Sequence, residues 1–346
     1  MTRDTLLLFR RLPLTLILAL VGGGLFTWIG IPAGWLSGAA VAVAIAAISG
    51  TPVGIPNAVR QVAFLVLGIG MGSSVTPDTL DRIGSWPLSI VFVLITTVLV
   101  TAIAYWVLHR FGGWDRMSAF YGSVPGALSY VLAVAMADGV DMRRVALAQS
   151  VRLLFLVAVL PPLIGLFGAD STPPTTAAAH PEAGIGDLVL LVTAGAAAGY
   201  LFLKIGQSAG VLLGALLTSG ILHVTGIVST WMPGWLLIPG YLVLGGVIGT
   251  RFAGTDRGLL IRLVATSLSA LLAGLAVALA SAVGLIAVSG LPAGQVILAL
   301  SPGALESMTT LAFLLGFDAA YVASLHFIRF IAITLALPWI ANRFRD

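Results

Sequence analysis

Apolar runs follow one another along nearly the whole chain, separated by short polar or proline- and glycine-rich breaks. Runs of about 20 apolar residues cross a hydrocarbon core of roughly 30 Å when they form helices. The runs show no alternation of apolar and polar residues, so helices rather than strands satisfy the backbone. Six elements are predicted in each half of the chain, near residues 12–30, 32–49, 57–76, 86–109, 115–138 and 141–166, and near residues 185–203, 207–228, 235–252, 260–288, 292–316 and 319–341.

The two halves repeat one another, since Pro125-Gly126-Ala127-Leu128 returns as Pro302-Gly303-Ala304-Leu305, a shift of 302 − 125 = 177 residues. The same shift places Arg152 on Arg329. Duplicated membrane units are typical of secondary transporters, whose broken segments meet at a central site. We predict a first membrane repeat at 1–168, a polar linker at 169–184 and a second membrane repeat at 185–346.

Composition supports a membrane protein, because 59% of the residues are hydrophobic and only 9% are charged, against about a quarter charged in soluble domains. The 41 glycines suit close packing of helices in lipid. The absence of cysteine excludes disulfides, thiolate metal sites and cysteine nucleophiles. The formal net charge of +4 is an ordinary basic excess of cytoplasmic loops, and no basic cluster predicts binding to nucleic acid.

The distribution of Lys and Arg indicates how the halves are oriented. If the segment from Asp115 to Asp138 crosses the membrane, the basic residues are divided between both sides. If it enters and returns on its own side, nearly all of them collect inside, and only Arg82 lies outside. This favours an all-α integral membrane protein of two inverted repeats, each with about five transmembrane helices plus one re-entrant hairpin, and both termini inside. A broken crossing helix remains the alternative, since about 24 residues also span the membrane.

Proline and glycine interrupt the fifth element of each half, and each break is expected to start a new half-helix. Ser301 before Pro302 has the order of an N-cap followed by proline at the first helical position. Two half-helix N-termini that meet form a site for an anion. The alternative is a pair of proline kinks repaired by serine hydroxyls. The candidate substrate-binding residues at the breaks are Ser123, Pro125, Gly126, Ser129, Ser301, Pro302, Gly303 and Ser307.

Arg152 and Arg329 complete the candidate substrate-binding set. Each lies eleven residues past an aspartate that begins its helix, Asp141 or Asp318, hence about 16 Å along the helix and near mid-depth. Charged groups at that depth usually face a bundle interior or a water-filled cavity and mark a pathway. The alternative is that both arginines are structural clamps on carbonyl groups of the hairpins.

The halves differ at residues that are candidates for ion coupling, namely Glu306, His326 and Gln149. Glu306 stands where the first half has Ser129, and His326 stands where it has Gln149. Glu306 is either a proton carrier or the partner of Arg329 in a fixed ion pair. His326 and Arg329 are three residues apart and share one side of a helix.

The paired Pro-Gly-Ala-Leu segments, the glycine runs at 68–72 and 245–249 and the stretch from Ser301 to Ser307 resemble the AbrB-type membrane protein family. The resemblance covers nearly the whole chain. It implies a bacterial membrane protein with a duplicated domain, often labelled an ammonia monooxygenase or a regulator of gene expression. The family shares its name with an unrelated DNA-binding factor, whose small β-rich fold nothing in this chain resembles.

The leading hypothesis is a secondary transporter or exporter of a small anion, a carboxylate, working by alternating access with possible coupling to protons or sodium. The alternatives are a membrane sensor that regulates gene expression and, third, a metal-dependent monooxygenase, which four scattered histidines disfavour. No enzymatic activity or cofactor is expected. The expected partners are the lipid bilayer, the anionic substrate and the coupling ion, with a homodimer left open. The expected location is the bacterial inner membrane, with both termini cytoplasmic.

Overall fold

The computed structural model describes residues 3–75, 86–126, 128–165, 184–204 and 209–343, all of it helix, turn or loop without a strand. The predicted linker at 169–184 lies outside the described residues except for Gly184. The helices of the first half are α1 (Arg3–Trp28), α2 (Gly34–Ile48), α3 (Asn57–Gly72), α4 (Trp86–Arg110), α5 (Arg116–Ser123), α6 (Leu128–Ala137) and α7 (Met142–Gly165). Those of the second half are α8 (Ile185–Lys204), α9 (Gly210–Val224), α10 (Gly234–Thr250), α11 (Arg257–Ser289), α12 (Ala293–Leu300), α13 (Leu305–Leu314) and α14 (Ala319–Asn342).

Six of the described helices are long and apolar enough to cross a membrane, namely α1, α4, α7, α8, α11 and α14. Helices α2, α3, α9 and α10 have only 15 to 17 residues, fewer than the 20 or so that a full crossing requires. The helical class predicted from the apolar runs is confirmed, and the number of crossings stays a prediction. The long apolar helices are consistent with a multi-pass membrane protein.

The sequence repeat reappears in the bounds of the helices. Helices α5, α6 and α7 each begin and end 177 residues before α12, α13 and α14, as at Arg116 and Ala293 or at Leu128 and Leu305. The predicted segments 115–138 and 292–316 are therefore each two short helices separated by a break. This agreement extends the repeat from sequence to local structure.

The helices group into two compact units, and each unit contains segments from both halves of the sequence. Unit 1 comprises Met1–Ile83, Val157–Gly254 and Thr309–Ala320, so it holds α1, α2, α3, α8, α9 and α10. Unit 2 comprises Gly84–Leu156, Thr255–Met308 and Tyr321–Asp346. It therefore holds α4, α5, α6, α11 and α12, most of α7 and α14, and the first turn of α13.

Close glycine contacts hold unit 1 together. A Cβ atom on Gly68 of α3 would lie 2.4 Å from the carbonyl oxygen of Leu212 in α9. The related glycine is Gly245 of α10, where an added Cβ atom would lie 2.6 Å from the carbonyl oxygen of Leu36 in α2. Because only glycine permits this approach, both helix pairs pack backbone against backbone, as small residues allow in membrane proteins.

In unit 2, the chain reverses direction between α5 and α6. The hydroxyl of Tyr121 in α5 donates a hydrogen bond to the carboxylate of Asp138, 17 residues later. A continuous straight helix would separate these residues by about 25 Å, more than two side chains bridge. Helices α5 and α6 therefore form a helical hairpin. Its core contains Phe120, Tyr121, Val124, Val131 and Ala135, together with Ile333, Leu337 and Ala341 of α14.

Candidate functional site

The first break separates α5 from α6 inside unit 2. Helix α5 ends at Ser123 and α6 begins at Leu128, with Pro125 and Gly126 in the connection. Gly126 has φ of 75°, a left-handed conformation that glycine adopts without strain. Pro125 cannot donate a backbone hydrogen bond, so the two residue types together end α5 and turn the chain.

At the second break, Ser301 does not have the predicted role of an N-cap. Its backbone lies past the end of α12 as the C-cap, and its hydroxyl donates to the carbonyl oxygen of Ile297 at 2.6 Å. Helix α13 begins only at Leu305, so Ser301 does not cap it and Pro302 is not its first helical residue. The prediction was wrong because the order Ser-Pro suits the end of one helix as well as the start of the next.

Arg152 lies in α7 and is buried, with 9% of its surface exposed. Its guanidinium donates to the carbonyl oxygen of Val124 at 2.9 Å and to that of Ser123 at 3.4 Å. One turn earlier, the Gln149 amide donates to the carbonyl oxygen of Tyr121 at 3.2 Å. Both side chains bind carbonyl groups at the end of α5, which helix geometry leaves without partners in the helix.

Arg329 in α14 repeats this arrangement at the second break. Its guanidinium donates to the carbonyl oxygens of Ser301 at 2.7 Å and Gly303 at 2.6 Å. It also contacts His326 Nδ1 at 2.6 Å, while His326 Nε2 lies 3.0 Å from the carbonyl oxygen of Leu298. Because the guanidinium has only donors, Nδ1 accepts and Nε2 carries the proton. His326 and Arg329, which share one side of α14, are thus in direct contact.

The two breaks are neighbours in unit 2. A Cβ atom on Gly126 would lie 3.6 Å from the carbonyl oxygen of Gly303 and 3.7 Å from Nη2 of Arg329. The folded chain thus brings together two residues that are 177 positions apart in the sequence repeat. Two buried guanidinium groups accompany them, since 9% of Arg152 and 3% of Arg329 are exposed.

The first turn of α13 contributes polar side chains to the second break. Glu306 is half-buried at its second residue. Ser307 is fully buried, and its hydroxyl has no hydrogen-bond partner among the described residues. A buried hydroxyl without a partner is costly, and this one keeps its capacity to donate a hydrogen bond. The side chain of Ser129, the related residue of α6, lies outside the described part of the chain.

A small cavity of about 20 Å³ lies beside the breaks within unit 2. Its lining includes Ser123, Arg152 and Pro302 together with Ser267 of α11, whose buried hydroxyl also lacks a partner. The volume accommodates about one water molecule. Sequence reasoning missed Ser267 because it is one of several serines in an apolar run, with no break or repeat to distinguish it.

A second, apolar cavity of about 400 Å³ lies between α4 and α14 and reaches Phe120 and Val124 of the hairpin. No group of three or more His, Asp or Glu side chains suited to a metal ion occurs in the part of the chain that the structure describes.

Comparison with known proteins identifies relatives over most of the chain. A family model described as "Transition state regulatory protein AbrB" matches residues 35–345. "Putative regulator AbrB" of Escherichia coli (strain K12) is 26% identical over 323 residues, covering 92% of this chain and 91% of the relative. "Uncharacterized protein YhjN" of Bacillus subtilis (strain 168) is 28% identical over 348 residues, covering 92% and 88%. These matches confirm the resemblance read from the repeated motif.

Proposed function

The chain belongs to the AbrB family, and we propose that it is a secondary transporter or exporter of a small anion, with a carboxylate as the substrate class. The observation that carries the proposal is the meeting of Gly126 and Gly303 beside buried Arg152 and Arg329. In this proposal unit 2 is the moving core of an alternating-access cycle. The placement of Lys and Arg supports two inverted repeats with both termini cytoplasmic, and the proposed location is the bacterial inner membrane.

Electrostatics favours an anion at this site. Helices α6 and α13 each have ten residues and begin just past the breaks, where N–H groups without helical partners carry a partial positive charge. Two buried guanidinium groups add full charges next to these helix ends. The unpartnered hydroxyl of Ser307 supplies a further donor next to the start of α13.

The described conformation is closed to such a substrate. The cavity of about 20 Å³ beside Arg152 holds one water molecule, whereas small-molecule sites usually occupy roughly 300 Å³ or more. Binding of a carboxylate therefore requires opening at this cavity. A site that alternates between closed and open forms is what alternating access demands.

Transport in proteoliposomes tests the proposal. Purified protein would be reconstituted and uptake of a panel of radiolabelled mono-, di- and tricarboxylates measured, with and without a proton or sodium gradient. We expect saturable uptake of at least one member. Intact, reconstituted protein that moves none of them under any gradient would refute the transporter proposal.

A pair of serine variants links the flux to the site. Ser307→Ala removes the buried hydroxyl at the second break, whereas Ser269→Ala removes an exposed hydroxyl that bonds to the backbone of its own helix, α11. We expect weaker substrate binding for Ser307→Ala only. Since the Ser307 hydroxyl has no partner to lose among the described residues, folding should be preserved in both variants.

The descriptions of the relatives favour a second candidate, a membrane sensor that regulates gene expression. The name of the Escherichia coli relative and the family description both refer to regulation. A sensor would bind the same anions through the same breaks without moving them. Saturable binding to purified protein, combined with no flux in the proteoliposome assay, would therefore select the sensor over the transporter.

A further inference from the structure

Side chains of α7 and α14 bind the carbonyl ends of α5 and α12 according to one rule. In four of the six hydrogen bonds the donor lies 28 residues after its acceptor, as for Gln149 with Tyr121 and Arg152 with Val124. The other two are the second contacts of the arginines, at 29 residues for Ser123 and 26 for Gly303. The second half repeats the spacing for His326 with Leu298 and Arg329 with Ser301. The two interactions at the second break are the repeat images of those at the first.

Carbonyl groups at such places attract cations. The C-terminal end of a helix carries a partial negative charge, and its last carbonyl groups lack partners in the helix. In broken helices of membrane transporters, unwound carbonyls and half-helix C-terminal ends coordinate Na⁺ or protons. Here the carbonyl oxygens of Ser301 and Gly303 lie 2.7 and 2.6 Å from the nitrogens of one guanidinium, that of Arg329.

We propose that Arg152 and Arg329 are resident cations, which occupy the carbonyl groups of the two breaks permanently and exclude a mobile metal cation from them. A guanidinium keeps its charge in proteins and is tethered to its helix, so it supplies the stabilising charge of a bound cation without dissociating. The adjacent cavity at Arg152 has a volume of about 20 Å³, which leaves no room for a sodium ion together with a hydration shell. Each arginine is thus a positioning residue for its break.

One consequence rests on the proposed function. If the protein transports an anion, sodium binding at these carbonyl groups does not drive the transport. The transport is then coupled to protons or to the exchange of one anion for another. The proposal that the two arginines act as resident cations rests only on their hydrogen bonds to carbonyl groups. It can be tested without any substrate, so loss of the transport proposal and loss of this inference would be recognised separately.

Sodium binding to the unaltered protein is the first test. Detergent-purified protein would be titrated with ²²Na⁺ and its melting temperature compared in sodium chloride and choline chloride. We expect no stoichiometric binding and no difference in melting temperature. Saturable binding of one or more sodium ions per chain by the unaltered protein, with a higher melting temperature in sodium chloride, would overturn the inference.

Chemical rescue is the second test. Arg329→Ala opens the carbonyl cluster and should lower the melting temperature by on the order of 5–10 °C, and millimolar guanidinium or methylguanidinium should restore most of that loss. Arg343→Ala removes an exposed arginine after α14 and should respond to neither. A folded Arg329→Ala protein that guanidinium leaves unchanged would contradict the inference. If that variant does not fold, the sodium measurement on the unaltered protein still decides.

Discussion

The chain reversal between α5 and α6 predicts on which side of the membrane their outer ends lie. A continuous helix from Arg116 to Ala137 would be about 33 Å long, enough to cross a hydrocarbon core of roughly 30 Å. A hairpin with arms of eight and ten residues reaches only about 12–15 Å from its entry. We therefore expect Arg116, at the start of α5, and Arg143, just past α6, to face the same aqueous compartment.

Single cysteines provide the assay, because the chain contains none of its own. Arg116→Cys and Arg143→Cys, both at exposed positions, would be treated with a membrane-impermeant maleimide in right-side-out and inside-out vesicles. Both should react from the cytoplasmic side only. Arg257→Cys and Val288→Cys at the two ends of α11, a helix of 33 residues, serve as the control and should react from opposite sides.

Opposite sidedness of positions 116 and 143 would refute the hairpin. It would mean that α5 and α6 form a broken crossing helix, and the inverted arrangement of the repeats would fall with it. The α11 control guards against mixed vesicle orientation, since both of its ends would then react in both preparations. The related pair of helices, α12 and α13, can be tested in the same way.

Further variants test three individual contacts. Tyr121→Phe removes the hydrogen bond to Asp138 and should lower the free energy of unfolding by about 1–3 kcal/mol in a denaturant titration, with faster hydrogen exchange in α6 if the hairpin loosens. Gly68→Val should cost about 1–3 kcal/mol or prevent folding, because its Cβ would meet the Leu212 carbonyl at 2.4 Å, whereas Gly186→Ala, with no neighbouring atom within 4 Å, should be neutral or slightly stabilising. His326→Gln should retain a donor for Leu298, as Gln149 does for Tyr121, and so lower the melting temperature less than His326→Ala; equal losses would show that the donor is unimportant.

The sequence predicted the positions of the helices well, because apolar runs and proline–glycine breaks are local signals. Pro125 and Pro302 located both breaks, and the charge rule favoured a hairpin that the contact of Tyr121 with Asp138 now supports. The role of Ser301 as the C-cap of α12 was missed. The pair Ser301-Pro302 does not indicate that three residues separate Ser301 from the start of α13 at Leu305. The mixing of both halves within each unit depends on contacts between residues far apart in sequence, which leave no local pattern.

The two breaks are bound by the same rule but not equally firmly. At the first, Arg152 has one good carbonyl contact at 2.9 Å and one marginal contact at 3.4 Å. At the second, Arg329 has two carbonyl contacts at or below 2.7 Å, and His326 accepts a third hydrogen bond from it. His326, which stands where the first half has Gln149, therefore adds a contact at the second break that the first break lacks. Its imidazole donates to the carbonyl oxygen of Leu298 in α12 and accepts a hydrogen bond from the guanidinium of Arg329. The contacts of Arg152 are thus the weaker of the two sets, and Arg152 also lines the small cavity beside the breaks.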